Sequence, residues 1–263
     1  MTLAAPAADL PAGELIRYWR GTRRLSQMAL AHEAEISPRH LSFIETGRAN
    51  ASPATIDRLS TVLTLTLRQR NALMLAAGFA PQHPRRHWSD PELQAIQRSL
   101  SEIVHAHLPF PALIMDARGD VLLANRTLLA LVGDGAPTDG TPANVYRLAL
   151  LPGPFADRIE NRDEWHATLT AELVEQAART GDPQLAELAH QAVAREPRAA
   201  IAHDDTLPVV PLVLRHGDRA LRFTSIRTHL SAPREVLSSE LALETFMPLD
   251  DETREVLAAL NAG

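Results

Sequence analysis

The stretch from Ser26 to Pro53 constrains this chain more than any other, because its punctuation fixes two short helices and the turn between them. Ser26 is a good N-cap for a helix running to about Ala34, with Met28, Leu30, Ala31 and Ala34 available for its inner face. Ser37 followed by Pro38 is a second N-cap, with proline at the first helical position, where a missing N–H costs nothing. Gly47 stands where a left-handed residue closes the second helix. Leu41 and Ile44, three apart, give that helix an inner side and leave Arg39, His40 and Phe43 pointing outward. An outward Phe beside Arg and His suits a helix laid in the major groove of DNA. There Arg bonds guanine edges and an apolar ring meets thymine methyl groups.

Charge supports that reading. Residues 1–86 carry eleven Arg against six acids, whereas residues 87–263 carry fifteen Arg against twenty-six, within an overall net charge of −6. A basic first third on an acidic remainder is the pattern of a phosphate-binding module joined to a domain that does not bind nucleic acid. At 263 residues there is room for two modest domains. The absence of cysteine excludes disulfides, thiolate metal sites and cysteine nucleophiles, and fits a cytoplasmic location. No window approaches the ~20 apolar residues of a transmembrane helix, so membrane insertion is not expected. Met1 to Pro11 lacks the basic start of a signal peptide, and residues 1–12 read as a disordered lead.

A helix-turn-helix domain is expected over residues 13–80, built of five helices. The first runs from about Glu14 to Arg24 with Leu15, Ile16 and Trp19 buried, and the next two are the pair above. Ser52-Pro53 opens a fourth with Ile56, Leu59, Val62 and Leu63 at helical spacing, and a fifth covers about Leu67 to Ala77, stopped by Gly78. This domain resembles the Cro and lambda-repressor family, with Leu25-Ser26-Gln27, Ile36-Ser37, Leu41-Ser42, Ile44-Glu45-Thr46-Gly47 and Ser52-Pro53 in register. The resemblance implies roles. Ser37, Arg39, His40 and Phe43 would face the groove, Ser42 and Arg48 would lie near the DNA backbone, and Gln27 would contact phosphate or brace the recognition helix. It also places Glu45 one helix away from Arg20, as a structural pair.

Ala80 to Arg86 mixes proline with charge and breaks helix, so a linker and connecting helix occupy residues 81–105, with Leu93, Ile96, Leu100 and Ile103 or Val104 inward. Strand signals follow in a second domain over residues 106–255. Pro111–Asp116 and Asp120–Asn125 are apolar runs joined by Ala117-Arg118-Gly119, and a short helix opens at Asn125. Helical tracts cover about Glu160–Arg179 and Pro183–Arg195. Strands return at Val209–Leu214, Ala220–Ile226 and Leu241–Met247, the first two joined by His216-Gly217-Asp218-Arg219. Two strands, helices and three more strands predict a PAS-like α+β domain, a five-stranded antiparallel sheet with helices over one face.

The whole chain, from about residue 13 to 260, resembles the MmyB-like transcriptional regulators. The matching stretches include Ser37–Phe43, Arg70–Pro81, Asn144–Leu150, Glu164-Trp165-His166, Gly181-Asp182-Pro183 and Val210-Pro211-Leu212. The chain departs from that pattern at Ala49-Asn50-Ala51, where the family carries an Arg- or Pro-containing loop. The resemblance implies a Cro-type domain that reads a double-stranded operator, followed by a PAS-like domain with a pocket for a small apolar molecule, fatty-acid-like in at least one member. Leu113, Phe155, Trp165, Phe223, Ile226 and Phe246 are the candidates for that pocket, with Arg147 or His166 for a carboxylate. A homodimer is expected from the logic of paired half-sites.

Enzyme chemistry is not expected. Neither a His-Glu-x-x-His nor a Gly-x-Ser-x-Gly motif occurs, and there is no Gly-rich phosphate loop. His105 and His107, two apart, do not share a helical face, and His203-Asp204-Asp205 reads as a solvated loop, so no metal and no cofactor are assigned. Asp116 and Asp120 flank a turn that accounts for both. The alternative is a DNA-binding regulator whose second domain binds a protein partner and no small ligand. A sealed apolar cavity argues for the sensor, and a solid core with an exposed apolar patch for the partner.

Overall fold

The computed structural model describes residues 10–137, 141–195 and 208–262. Most of the expected lead over residues 1–12 and the His203-Asp204-Asp205 segment lie outside them. The chain divides into two compact units. One comprises residues 1–86 with 178–182 and 232–239, and the other residues 87–177, 183–231 and 240–263.

The first unit carries helices α1 (Ala12–Thr22), α2 (Gln27–Glu33), α3 (Pro38–Glu45), α4 (Pro53–Val62) and α5 (Leu67–Ala76). Side-chain caps set where they start. The Ser26, Ser37 and Ser52 hydroxyls accept from the N–H groups of Ala29, His40 and Thr55, and Thr66 with Gln69 forms a reciprocal capping box. Gly47, at a φ of +70°, ends α3 in the left-handed region that glycine enters without strain. Leu15, Ile16, Trp19, Leu30, Leu41, Ile44, Ile56, Leu59, Leu63 and Leu73 close one core. Gly13 lets α1 pass against the end of α3, because a Cβ there would collide with the Ile44 carbonyl. Met28 departs from expectation. It is 71% exposed, because Leu30, Ala31 and Ala34 form the inner stripe and Met28 is turned away from them.

The second unit holds α6 (Gln94–Ala106), β1 (Ala112–Met115), β2 (Val121–Ala124), α7 (Arg126–Val132), α8 (Val145–Leu150), α9 (Arg162–Thr180), α10 (Pro183–Val193), β3 (Leu212–His216), β4 (Arg219–His229), β5 (Ala242–Pro248) and α12 (Asp251–Ala262). A short α11 (Val236–Glu240) precedes β5, and residues 236–239 of it, like the last turn of α9, fall in the first unit. The strands form one antiparallel sheet in the order β2-β1-β5-β4-β3, which is the PAS-like arrangement. Gly217, at a φ of +60°, makes the β3–β4 turn as tight as two residues.

Buried amides lock the connections. Asn125 caps α7 through Leu128 N–H while donating to the carbonyls of Val104 and Phe110. Asn144 caps α8 and donates to Arg118 O and Asp120 Oδ1, and an Asp116 oxygen accepts from the N–H groups of Arg118 and Asp120, which accounts for both acids as turn chemistry.

Two features differ from expectation. The cover is not confined to one face of the sheet. Leu113 and Met115 face α7 and α8, but Ala112 and Ile114 are buried too, with α6 packed along β1 and β2. Helix α12 runs past the expected end at residue 255. Asp250 caps it by accepting from Thr253 N–H, and Val256 and Leu257 join the core with Leu131, Trp165, Leu214 and Phe223.

Candidate functional site

Two candidate sites stand out, one in each unit, and opposite physics builds them. The first is the outer face of α3. Ser37 and Arg39 are exposed, and His40, Ser42 and Phe43 are half-buried on the same short helix. The Arg39 guanidinium lies 5.3 Å from the centroid of the Phe43 ring, so cation and ring form one outward patch. Arg48 follows Gly47 and is exposed. Its backbone N–H donates to Phe43 O at 2.8 Å, which fixes the loop against the helix end. Glu45 is turned inward, at 7% exposure, and its carboxylate accepts from Arg20 Nε at 2.7 Å, from Arg20 at 3.0 Å through a second nitrogen, and from Gln27 Nε2 at 3.0 Å. The bonds to Glu45 raise the Arg20 pKa against the opposing effect of burial. Gln27 is tied to Glu45. It ties α2 to the end of α3 and leaves the outer face to Arg39 and Phe43.

The second site is a cavity of about 120 Å³ between the sheet and the helices of the second unit. Strand register builds its floor. Ala124 pairs with Leu113, Leu113 with Glu244, and Glu244 with Arg227, so four neighbouring strands contribute one continuous row of lining residues. Leu128 and Leu129 of α7, Tyr146 and Ala149 of α8, Phe155, and Trp165 and Leu169 of α9 close it from above. All but two of the lining side chains are uncharged, and the two that are charged, Arg227 and Glu244, are paired.

That pair extends into a network. Arg227 donates to Glu244 Oε2 at 3.2 Å and to Glu172 of α9, and the Tyr146 hydroxyl donates to Glu172 Oε1 at 3.0 Å. Burial raises the Glu244 carboxyl above the usual carboxylate range despite the pull of Arg227. Burial opposes the charge on Arg227, but Glu244 and Glu172 outweigh it and raise its pKa. Tyr146 is pushed up by burial and by the charge on Glu172.

Of the eight residues expected at this pocket, the structure brings four to the cavity: Leu113, Phe155, Trp165 and Phe246. Phe223 is 1% exposed and lies behind the wall, its ring edge-on to Phe246 at 6.4 Å between centroids. Ile226 is 52% exposed and is not in the wall. In a strand, positions 223 and 226 face opposite sides, so the two were never able to share a cavity. Arg147 is exposed, because Tyr146, Ala149 and Leu150 form the inner stripe of α8 and the next residue turns away from it. His166 is buried beside Thr170, at 3.3 Å, and does not line the cavity. The polar residues that do reach it, Arg227 and Glu244, went unnoticed in the sequence. The signal was their phase. Arg227 continues the inward alternation of Leu221 and Phe223, and Glu244 shares an inward face with Phe246.

Among the described residues, no group of three or more His, Cys, Asp or Glu is placed to hold a metal ion, and no helix is long and apolar enough to cross a membrane.

Residues 96–260 match the family described as MmyB-like transcription regulator ligand binding domain. Residues 12–73 match the family described as helix-turn-helix domain. None of the curated proteins matches. Among solved structures, the chain aligns with one titled "Structure of an RNA-binding Light-Oxygen-Voltage Receptor" at 14% identity and a TM-score of 0.23, covering 95% of this chain and 64% of that one. That is less than two thirds of the other chain's length, and so low a score carries no argument.

Proposed function

We propose, from the premise that this chain belongs to the family of MmyB-like transcription regulators, that it is a sequence-specific DNA-binding regulator whose second domain senses a small apolar molecule. The observation that carries this is one chain holding both an outward Arg39–Phe43 patch on a capped α3 and an apolar cavity walled by register-aligned strands. A convex cationic face suits phosphates and base edges, and an apolar-lined pocket suits a hydrocarbon guest. The partners in this proposal are a double-stranded operator, a small apolar ligand of the fatty-acid-like kind the family resemblance implies, and a second copy of the chain.

Ser37, Arg39, His40 and Phe43 read bases, while Ser42 and Arg48 hold the DNA backbone. Leu113, Phe155, Trp165 and Phe246 contact the guest. An occupied cavity favours one packing of α7, α8 and α9 and so shifts the spacing of two recognition helices in a dimer. Operator half-sites about one DNA turn apart make affinity sensitive to that spacing. The coupling is no larger than the guest's difference in affinity for the two states. The cavity also favours the sensor over a domain that only binds a protein partner, since the core is not solid there.

Mass spectrometry of small molecules released from the purified, denatured full chain tests the sensor half. A retained lipid-like species supports it. Nothing retained, together with no thermal shift across a panel of small apolar compounds, contradicts it. A protein that stays monomeric both free and on operator DNA contradicts the dimer mechanism.

A further inference from the structure

Helix α9 begins in one unit and ends in the other. Its residues up to Ala177 belong to the second unit, and residues 178–180 belong to the first. Trp165 and Leu169 line the cavity. Leu173 and Ala177, at the same spacing of four, carry that buried stripe to the last turn, packed with Tyr146, Leu150, Leu185 and Leu188. Gly181, at a φ of +67°, closes the helix. The last carbonyls of a helix have no partner within it. Two of these, on Arg179 and Thr180, accept from the Gln69 side-chain amide at 2.9 Å each, within the first unit. Gln69 is 4% exposed, and its oxygen accepts from Thr66 N–H at 3.0 Å as part of the capping box that starts α5. One buried side chain thus caps two helix ends, the finish of a helix over the cavity and the start of α5.

We propose that Gln69 couples the state of the cavity to DNA binding by the first unit. This rests on the sensor reading above and names the residue that carries its signal. A guest packs against Trp165 and Leu169 and biases the position of α9. A close-packed stripe moves as one body rather than absorbing the shift, so the displacement reaches the Arg179 and Thr180 carbonyls. Gln69 follows them, because a buried amide donor left without its acceptor is costly. Its movement displaces the first turn of α5. Leu73 and Met74 of α5 share one core with Leu15, Ile16 and Trp19 of α1, and α1 meets the end of α3 at Gly13 and through the Arg20–Glu45 pair. The signal therefore reaches α3 from its inner side, opposite Arg39 and Phe43. A competing route exists in residues 232–239, which also lie in the first unit and where Val236 N–H donates to Pro84 O at 3.0 Å.

The test is thermodynamic coupling in the full chain. Affinity for a duplex selected from random sequence is measured with and without saturating hexanoate or 1-hexanol. Guest affinity, followed by NMR of the Trp165 indole, is measured with and without that duplex. In the parent chain both are expected to change by the same factor, about 5- to 150-fold. Gln69→Ala and Gln69→Glu both remove the donor to α9, and the second keeps an acceptor for the α5 cap. Each, shown by thermal melts to be folded, is expected to lose the coupling in both directions while still binding DNA and guest. Thr66→Ala weakens the same cap but leaves the Gln69 amide on α9, and it is expected to keep the coupling. Coupling retained in both Gln69 variants, or lost equally in Thr66→Ala, overturns the proposal and leaves the sensor reading standing. A guest that binds the parent chain without changing its DNA affinity, or a folded parent chain that binds neither guest, removes the sensor reading and this proposal with it.

Discussion

Helix α3 and the cavity are solutions to opposite problems. Helix α3 is eight residues long, capped by Ser37 at one end and closed by Gly47 at the other, and its candidate side chains all fall between residues 37 and 43, with Ser37 and Arg39 exposed and His40, Ser42 and Phe43 half-buried. The cavity is assembled from all five strands and three helices, and its polar pair, Arg227 and Glu244, meets only because two strands pair in one register. A surface site made of local structure is specified by caps and a helical stripe. A pocket made of distant strands is specified by register, where a slip of one residue turns every side chain to the other face. The first should therefore respond to charge and salt, and the second to volume and burial.

Salt gives the largest separation between the two. If the dimer neutralises about six phosphates, operator affinity falls roughly a thousandfold between about 50 and 200 mM salt, while binding of a neutral guest in the cavity stays flat. Fluorescence anisotropy on DNA and NMR on the guest measure the two. Parallel losses would mean that the sites are not physically distinct. Next in size is Glu45→Ala. It leaves the Arg20 guanidinium and the Gln27 amide without their shared acceptor, and a loss of about 3 kcal/mol in urea unfolding is expected, as for breaking a buried ion pair. Unchanged stability would make the brace dispensable.

Arg39→Ala is expected to lose about 1–3 kcal/mol of discrimination between the preferred sequence and a random one. Equal losses on both would remove Arg39 from base reading. Arg48→Ala should instead weaken all DNA alike and reduce the salt slope by about one. In the second unit, Gly119→Ala combines a φ of +83° with a Cβ 2.7 Å from the Tyr146 ring. A cost of about 1–3 kcal/mol and weaker guest binding are expected, read by thermal melts and NMR. The smallest effect is with pH. The folded Glu244 carboxyl binds its proton more tightly than the unfolded one, so its contribution to stability is fully present below the unfolded pKa and is lost as pH rises through the folded value. In Glu244→Gln that decline above the ordinary carboxylate range should disappear. A profile identical to that of the parent chain would show that Glu244 does not titrate there.

What could be read from the sequence follows the same division. Caps at Ser26, Ser37 and Ser52, the left-handed glycine at 47 and the Leu41–Ile44 stripe are local signals, and they located all five helices of the first unit. The strands of the second unit were visible as apolar runs, and their order gave the PAS-like arrangement. The cavity wall was only half legible. Apolar side chains signal burial but not which side of the sheet they serve, and Phe223 and Ile226 sit on opposite faces of the same strand, β4. Charged residues inside strand runs were passed over in favour of Arg147, whose helix turns it to solvent. Helix α12 has its signals, the Asp250 cap and Val256, Leu257 and Leu260 at helical spacing, but it runs beyond residue 255, the expected end of the domain.

The central claim is that filling the cavity changes how the chain binds DNA. The most direct test is the affinity of the full chain for a duplex selected from random sequence, measured with and without a saturating small apolar guest. A shift of about 5- to 150-fold in either direction is predicted. A guest that binds but leaves DNA affinity unchanged would contradict it.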